Sequence, residues 1–151
     1  MVIRRMSWAE LAAHKDIFRL IDVMFRELLQ CGISRERAAL VRDRYAQGQG
    51  VALCAFDDDG RLAGCVSCYA SLDLTLLDTV LVEHFIAVMP EHRNGTLFIR
   101  LLKAMENYAR EIGVSAISTG TLNKDFSESW GRIFRQRGYR EMETLYRLEV
   151  R

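Results

Sequence analysis

The chain has 151 residues, of which half are hydrophobic and 27% are charged, and its formal net charge is +1. This composition is typical of a soluble globular protein, and the length is too short for two ordinary domains. The near-neutral charge argues against a protein that binds nucleic acid through bulk electrostatics. We therefore expect one domain over residues 1–151, without a nucleic-acid partner.

No apolar run in the sequence is long enough to cross a bilayer. The first residues, MVIRRMSWAEL, lack the apolar core and the small-residue cleavage site of a signal peptide. We therefore expect a cytoplasmic protein with no membrane partner.

The first third of the chain predicts a strand followed by helices. Val2–Arg5 has a strand pattern, and Ser7 with Glu10 forms a capping-box pattern at a helix start. Residues 8–30 then form one bent helix or two, and Ser34 begins another short helix. The apolar residues at helical spacing are Leu11, Ile17, Leu20, Ile21, Met24, Phe25 and Leu28. Glycines end the helical stretches, namely Gly32, Gly48 and Gly50.

Beyond Gly50 the apolar pattern changes from helical to strand-like. Residues 51–56 (VALCAF) and 64–74 (GCVSCYASLDL) predict two strands, joined by an Asp-rich turn at residues 57–60. Thr79–Val88 predicts a third long strand. We expect these three strands to form an antiparallel meander.

The second half of the chain alternates helices and strands. It predicts a helix over Thr96–Ile112, a strand at residues 114–119, a helix over Ser127–Arg137 and a final strand at residues 139–150. Because a helix separates the two strands, the strand at residues 114–119 is expected to lie parallel to Thr79–Val88.

The sequence contains one closely spaced cysteine pair, Cys65 and Cys68. This spacing occurs in metal sites, but no second pair and no suitably placed His completes a tetrahedral ligand set. The pair also lies in a strand-like run, where a separation of three places side chains on opposite faces. We therefore expect reduced, buried thiols and no metal.

The most informative stretch is the strand–loop–helix unit at residues 79–113. Its strand ends before Pro90, and a loop with Arg93, Asn94 and Gly95 leads directly into the helix. The N–H groups at a helix start and the positive end of its dipole point at one spot. The unit therefore predicts a site for an anionic ligand such as a phosphate or pyrophosphate.

With two later features, this unit resembles the GNAT (Gcn5-related) N-acetyltransferases. Asn123 follows the next strand, and the last helix ends in Arg-Gly-Tyr at Arg137–Tyr139, which is similar to the family's Gly-Phe. The resemblance covers most of the chain from Val51 onward. It implies an α/β fold whose mixed central sheet combines an antiparallel meander with a splayed parallel pair, and whose helices cover both faces.

The resemblance implies an N-acetyltransferase that moves an acetyl group from acetyl-CoA, its cosubstrate, to a primary amine. The acceptor would be a small molecule or a peptide, and the amine would attack directly in a ternary complex. The Val88 backbone would hold the oxyanion, while the helix start would hold the pyrophosphate. The implied cofactor-binding residues are Ala87, Val88, Met89, Arg93, Asn94, Gly95, Thr96, Leu97, Phe98 and Asn123. The resemblance requires no metal and leaves room for a homodimer.

Two neighbouring residues, Glu83 and His84, are the candidates for the general base. Their side chains point to opposite faces of the strand, so at most one faces the cleft. His84 lies four residues before Val88, where the arylalkylamine acetyltransferase branch carries a His, and imidazole accepts a proton near neutral pH. Glu83 is the alternative, since a bulge can change the face that a residue takes.

The sequence departs from the family pattern at two places. Thr96 and Phe98 stand where the family has small residues, and the Phe98 side chain either packs into the core or obstructs the pyrophosphate. Phe134 stands where many members have a Tyr that protonates the departing thiolate, which leaves water, Tyr108 or Tyr146 for that role. The alternative function is therefore a catalytically weak or inactive binding or interaction module with the same fold.

Overall fold

The computed structural model describes most of the chain, namely residues 1–28, 30–74, 76–93, 95–120 and 124–142. It divides into two compact units, Met1–Gly120 and Thr121–Arg151. In the described part of the larger unit, the strands are β1 (Val2–Ser7), β2 (Val51–Phe56), β3 (Leu62–Asp73), β4 (Asp78–Val88) and β5 (Ala116–Ser118). Its helices are α1 (Trp8–Ala12), α2 (Ile17–Leu28), α3 (Arg35–Gln47) and α4 (Leu97–Ile112), with a 3-10 turn at Pro90–His92. The smaller unit contains α5 (Lys124–Gln136).

The five strands form one mixed sheet in the order β1-β2-β3-β4-β5. The first four strands are antiparallel to their neighbours, and β5 lies parallel to β4. This arrangement confirms the mixed α/β fold with an antiparallel meander and a parallel pair. Of the final strand predicted at residues 139–150, the part from residue 143 onward lies outside the described residues.

The first helical stretch is two helices rather than one, and the sequence left this choice open. The predicted capping box begins α1, since the Glu10 N–H donates to Ser7 Oγ at 3.2 Å and the Ser7 N–H donates to Glu10 Oε2 at 2.6 Å. The chain then turns at Asp16, whose carboxylate accepts the Leu62 N–H at 2.9 Å. This contact joins the turn between α1 and α2 to the start of β3.

The sheet has helices on both faces, as predicted. One face carries a core in which β-strand residues such as Phe85 and Ala87 pack with Leu20 of α2 and Tyr45 of α3. On the other face α4 lies close to β3, because a Cβ added at Gly64 would lie 3.1 Å from Leu101 Cδ1. Cys65, the next residue along β3, belongs to the first face, since neighbouring strand residues point to opposite faces.

The prediction of buried thiols is confirmed for Cys65 and Cys68, and Cys54 is also buried. The sulfur atoms of Cys54 and Cys65 lie 3.4 Å apart across β2 and β3, and burial raises the pKa of the Cys65 thiol. Among the described residues, no group of three His, Cys, Asp or Glu side chains is arranged to hold a metal ion. None of the helices in the described ranges is long and apolar enough to cross a membrane.

Gly64 allows α4 to approach the sheet, and we expect Gly64→Val to destabilise the fold. An added Cβ would lie 3.0 Å from the Ala87 carbonyl oxygen, which belongs to the backbone and cannot rotate away. Overpacking of this kind costs about 1–3 kcal/mol in the free energy of unfolding, measurable by urea denaturation. Gly32→Val is the control, because nothing lies within 4 Å of a Cβ there, and its cost should stay within about 0.5 kcal/mol. Equal stability of the two variants would contradict the close approach.

Candidate functional site

The central feature of the site is the place where β4 and β5 stop pairing. Register pairs join Val80 to Ala116, Leu81 to Ile117 and Val82 to Ser118, and no further pair follows between the two strands. β4 nevertheless continues to Val88. Its edge from Glu83 onward therefore has no neighbouring strand on the β5 side among the described residues.

A β-bulge lies at the same level of β4. Ser67 of β3 lies opposite Phe85, while Cys68 lies opposite Glu83, so His84 is the extra residue. The bulge places the His84 side chain on the same face as Phe85, and both rings contact Tyr45, at centroid distances of 5.6 and 6.1 Å. The two candidate bases therefore have different surroundings, although they are adjacent in sequence.

The Glu83 carboxylate lies at the end of the parallel pairing. Its Oε2 accepts a hydrogen bond from Thr119 Oγ1 at 2.8 Å and a longer one from the Gly120 N–H at 3.4 Å. Burial raises the pKa of Glu83 to about 7, although both hydrogen bonds act to lower it. A carboxyl group with this pKa changes protonation state near neutral pH, which suits a general base.

The His84 ring is already engaged by another side chain. Its Nδ1 forms a hydrogen bond with the Tyr45 hydroxyl, and its ring centroid lies 5.8 Å from that of Trp8. Burial lowers the pKa of His84 and raises that of the Tyr45 phenol, so both groups are neutral at pH 7. In one tautomer the phenol donates to Nδ1 and Nε2 carries the imidazole proton, whereas in the other Nδ1 donates to the phenol oxygen and Nε2 is the acceptor.

Trp8, Tyr45 and Thr119 complete the surroundings of the two candidate bases, and the sequence interpretation did not place them there. Trp8 rests against two glycines, since a Cβ added at Gly50 or at Gly48 would lie 2.1 or 2.6 Å from the indole. The sequence explained these glycines as helix ends only. Two glycines separated by one residue, directly before β2, are the sequence feature that could have indicated a bulky side chain packed against the backbone there.

The open edge of β4 includes the residues expected to face pantetheine. The Met89 N–H donates to the Ala63 carbonyl oxygen of β3 at 2.9 Å. Because successive backbone groups point to alternate edges of a strand, the N–H and carbonyl of Val88 point to the open edge. The Val88 carbonyl accepts a hydrogen bond from Arg93 Nε there at 3.1 Å. Val88 is half-buried, whereas Ala87 and Met89 are buried.

The start of α4 has the features expected of an anion site. Thr96 is the N-cap residue, but its hydroxyl makes no capping hydrogen bond, and the first turn of α4 contains no acidic residue. Gly95 and Thr96 are exposed, Leu97 is buried, and Phe98 is half-buried. Two other residues expected at the cofactor site, Asn94 and Asn123, lie outside the described residues.

Two side-chain contacts connect the 3-10 turn before this loop to other parts of the larger unit. Arg19 of α2 forms a salt bridge with Glu91. His92 Nε2 lies 3.8 Å from the Asp57 carboxylate in the turn between β2 and β3. The turn is therefore connected on one side to a helix and on the other to the sheet.

The candidates for leaving-group protonation lie in different parts of the chain. In the smaller unit, Phe134 is buried and its ring centroid lies 5.4 Å from that of Tyr139. Tyr108 of α4 lies beneath the Arg5 guanidinium, 5.5 Å away, and Arg5 belongs to the edge strand farthest from β5. Tyr146 lies outside the described residues.

The fold is similar to those of several solved acetyltransferase structures. A protein described as a probable acetyltransferase is 22% identical, with a TM-score of 0.74 over 100% of this chain and 99% of that one. An aminoglycoside acetyltransferase from an uncultured soil metagenomic sample is 17% identical, with a TM-score of 0.72 over 99% and 98% of the two chains. A Trypanosoma brucei acetyltransferase is 18% identical, with a TM-score of 0.67 over 99% of both chains. At these identities the likeness shows the fold alone.

The sequence comparisons identify the family. No curated protein sequence matches the chain significantly. The family model for the acetyltransferase (GNAT) family, however, matches residues 16–131, which is most of the chain. This match includes β4, the loop at the start of α4 and β5, where the site geometry lies. The chain therefore belongs to the acetyltransferase (GNAT) family.

Proposed function

We propose that the protein is an N-acetyltransferase that moves an acetyl group from acetyl-CoA to a primary amine, with Glu83 as the general base. The observation that carries this proposal is the position of the Glu83 carboxylate at the end of the β4–β5 pairing. A carboxyl group with a pKa of about 7 lies there beside the unpaired edge of β4. A proton acceptor and free backbone donors at one place are what acyl transfer to an amine requires.

The residues at the start of α4 suit the phosphate groups of acetyl-CoA. The first turn of α4 has no acidic side chain that would repel an anion, and the Thr96 hydroxyl makes no capping hydrogen bond to its N–H groups. The exposed Gly95 and Thr96 leave the backbone accessible, and Arg93 adds a guanidinium beside the Val88 carbonyl. We assign pyrophosphate binding to Arg93 and to the backbone at the helix start, together with Asn94. Asn123 would bind the pantetheine amides.

In the proposed reaction, the amine nitrogen forms a bond to the thioester carbonyl carbon, and the bond from carbon to sulfur breaks. Glu83 takes the proton that the nitrogen loses. The Val88 N–H donates to the carbonyl oxygen as negative charge develops on it. The departing thiolate takes a proton from water or from Tyr146, because Phe134 has none to give and Tyr108 lies against Arg5 of β1.

We favour Glu83 over His84 as the base because of their partners. The hydrogen bonds to Glu83 come from Thr119 and Gly120, which directly follow β5, so the carboxylate lies between the two parallel strands. His84 instead bonds to Tyr45 on the face that carries α3. For His84 we propose a positioning role, in which the bulge holds its neighbour Glu83 beside β5.

Binding of acetyl-CoA tests the donor, and Phe98→Ala tests the departure from the family loop. We expect saturable binding to the purified protein by calorimetry. Because Phe98 is half-buried, Phe98→Ala should lower the free energy of unfolding by about 1–2 kcal/mol and leave the Kd within about threefold. A marked gain in affinity would instead show that the ring obstructs the pyrophosphate. If neither the wild type nor Phe98→Ala binds acetyl-CoA, the result would favour a non-catalytic binding or interaction module.

Glu83→Gln should abolish most of the activity, because the amide cannot accept a proton. We expect kcat to fall about 100-fold or more with each amine of a panel of primary amines. The assay measures the CoA thiol that the reaction releases. For the wild type, kcat/KM should rise with pH around a midpoint of about 7, and the variant should lack that rise. His84→Ala is the comparison, and it should retain the pH dependence. If that dependence disappears in His84→Ala and persists in Glu83→Gln, His84 is the base.

The same substitution should stabilise the protein at alkaline pH. Burial raises the pKa of Glu83 from 4.5 to about 7, so the folded state holds a proton that the unfolded state releases. Stability is therefore lost as pH rises through this window. The free energy of unfolding of Glu83→Gln, measured by urea denaturation, should exceed that of the wild type by roughly 1–3 kcal/mol at pH 8. Near pH 4 the two values should be equal. Glu111→Gln, at an exposed position, is the control and should differ little at either pH. Equal stability at pH 8 would contradict the burial of a charged Glu83.

A further inference from the structure

The Arg93 side chain lies against the open edge of β4. Its Nε donates to the Val88 carbonyl oxygen at 3.1 Å. Arg93 is also the residue that ends the 3-10 turn at Pro90–His92, and its own N–H bonds to the Pro90 carbonyl at 3.4 Å. The side chain therefore turns back from the start of the loop to the strand that precedes it.

This contact uses a group that a ligand on the same edge would need. The Met89 N–H is bonded to Ala63 within the sheet, so the outward-pointing groups at this level are the N–H and carbonyl of Val88. An extended ligand with amide groups pairs with an open strand edge as an added strand would. The pantetheine arm of acetyl-CoA has two amides. An amide N–H laid on this edge would compete with Arg93 for the Val88 carbonyl.

A phosphate offers the guanidinium a better partner than this carbonyl. Burial lowers the pKa of Arg93, but an arginine side chain still carries its charge at pH 7. The Val88 carbonyl gives it one neutral acceptor, whereas a phosphate gives it opposite charge and two parallel hydrogen bonds. Gly95 and Thr96, where we assign the pyrophosphate, follow Arg93 by two and three residues and are exposed.

We propose that Arg93 determines the specificity for the acyl donor: it keeps the β4 edge closed to thioesters without phosphate groups and leaves that edge for a pyrophosphate. This role rests on the proposed function, in which acetyl-CoA is the donor, and adds to it a selection against other thioesters. A phosphate-free thioester must displace the guanidinium without giving it a new partner. Discrimination therefore combines an attractive contact with the correct donor and an obstacle to the wrong one.

Two thioesters that differ in their phosphates test the proposal. Acetyl-CoA and S-acetylpantetheine have the same thioester and the same two amides, but only acetyl-CoA has phosphate groups. For Arg93→Ala we expect the Kd of acetyl-CoA to rise at least about tenfold, because a charged contact is lost. The Kd of S-acetylpantetheine should instead fall about threefold, because the Val88 carbonyl is no longer occupied. Titration calorimetry of the full chain measures both constants.

Arg110→Ala is the matched control for the loss of one positive charge. Arg110 lies in the last turn of α4, whereas Arg93 precedes its start. Both Kd values should stay within about twofold of the wild type, because solvent and salt screen the distant charge. Arg93 is exposed, so Arg93→Ala should fold, and circular dichroism checks both variants.

Inorganic pyrophosphate gives a second test, which the wild type alone can fail. Pyrophosphate should draw the guanidinium from Val88, so a saturating concentration should lower the Kd of S-acetylpantetheine about threefold in the wild type. In Arg93→Ala the same addition should leave that Kd unchanged. A pyrophosphate that has no effect on the wild type, or that weakens binding of the thioester, would overturn the proposal.

The outcomes with the two thioesters also separate the role of Arg93 from the proposed function. If the wild type binds acetyl-CoA but Arg93→Ala binds S-acetylpantetheine no more tightly than the wild type does, Arg93 only binds phosphate and the proposed selection is wrong. Binding of S-acetylpantetheine by neither protein would contradict the selection as well. If the wild type does not bind acetyl-CoA, the proposed function itself fails, and the role of Arg93 fails with it.

Discussion

The extra residue in β4 is the constraint on which the candidate site depends. By shifting the register between Phe85 and Glu83, it turns His84 toward Tyr45 and leaves Glu83 beside the residues that follow β5. The pairing of β4 with β5 ends at the same level. Beyond that level β4 continues to Val88 with no described strand on its β5 side. One irregular residue thus separates two ionisable neighbours at the start of an unpaired strand edge.

The site combines groups that favour function over stability. Glu83 is held where desolvation disfavours its charged form, and hydrogen bonds from Thr119 and Gly120 partly compensate. A core built for stability alone would place an apolar side chain there. A carboxylate at this position suits the proton acceptor that we propose for acetyl transfer in this GNAT-family chain.

Local pattern was sufficient to predict most elements of the fold. Apolar periodicity located β2, β3, β4 and α4, and the Ser7–Glu10 pattern located the start of α1. The break between α1 and α2 could not be predicted, because it depends on Asp16 reaching Leu62, a contact between residues distant in sequence. The position of the bulge and the bond between Tyr45 and His84 are likewise properties of strand register, which no local pattern encodes. The candidate bases were therefore found by sequence, whereas their different surroundings were not.

The two contacts of the 3-10 turn before α4 have a consequence for its conformational entropy. Glu91 pairs with Arg19, and His92 lies 3.8 Å from the Asp57 carboxylate, so Pro90–His92 is connected to α2 and to the turn between β2 and β3. The conformational entropy of these three residues is therefore lost when the chain folds. If the neighbouring helix start binds an anion as we propose, that part of the entropy cost does not fall on the binding step.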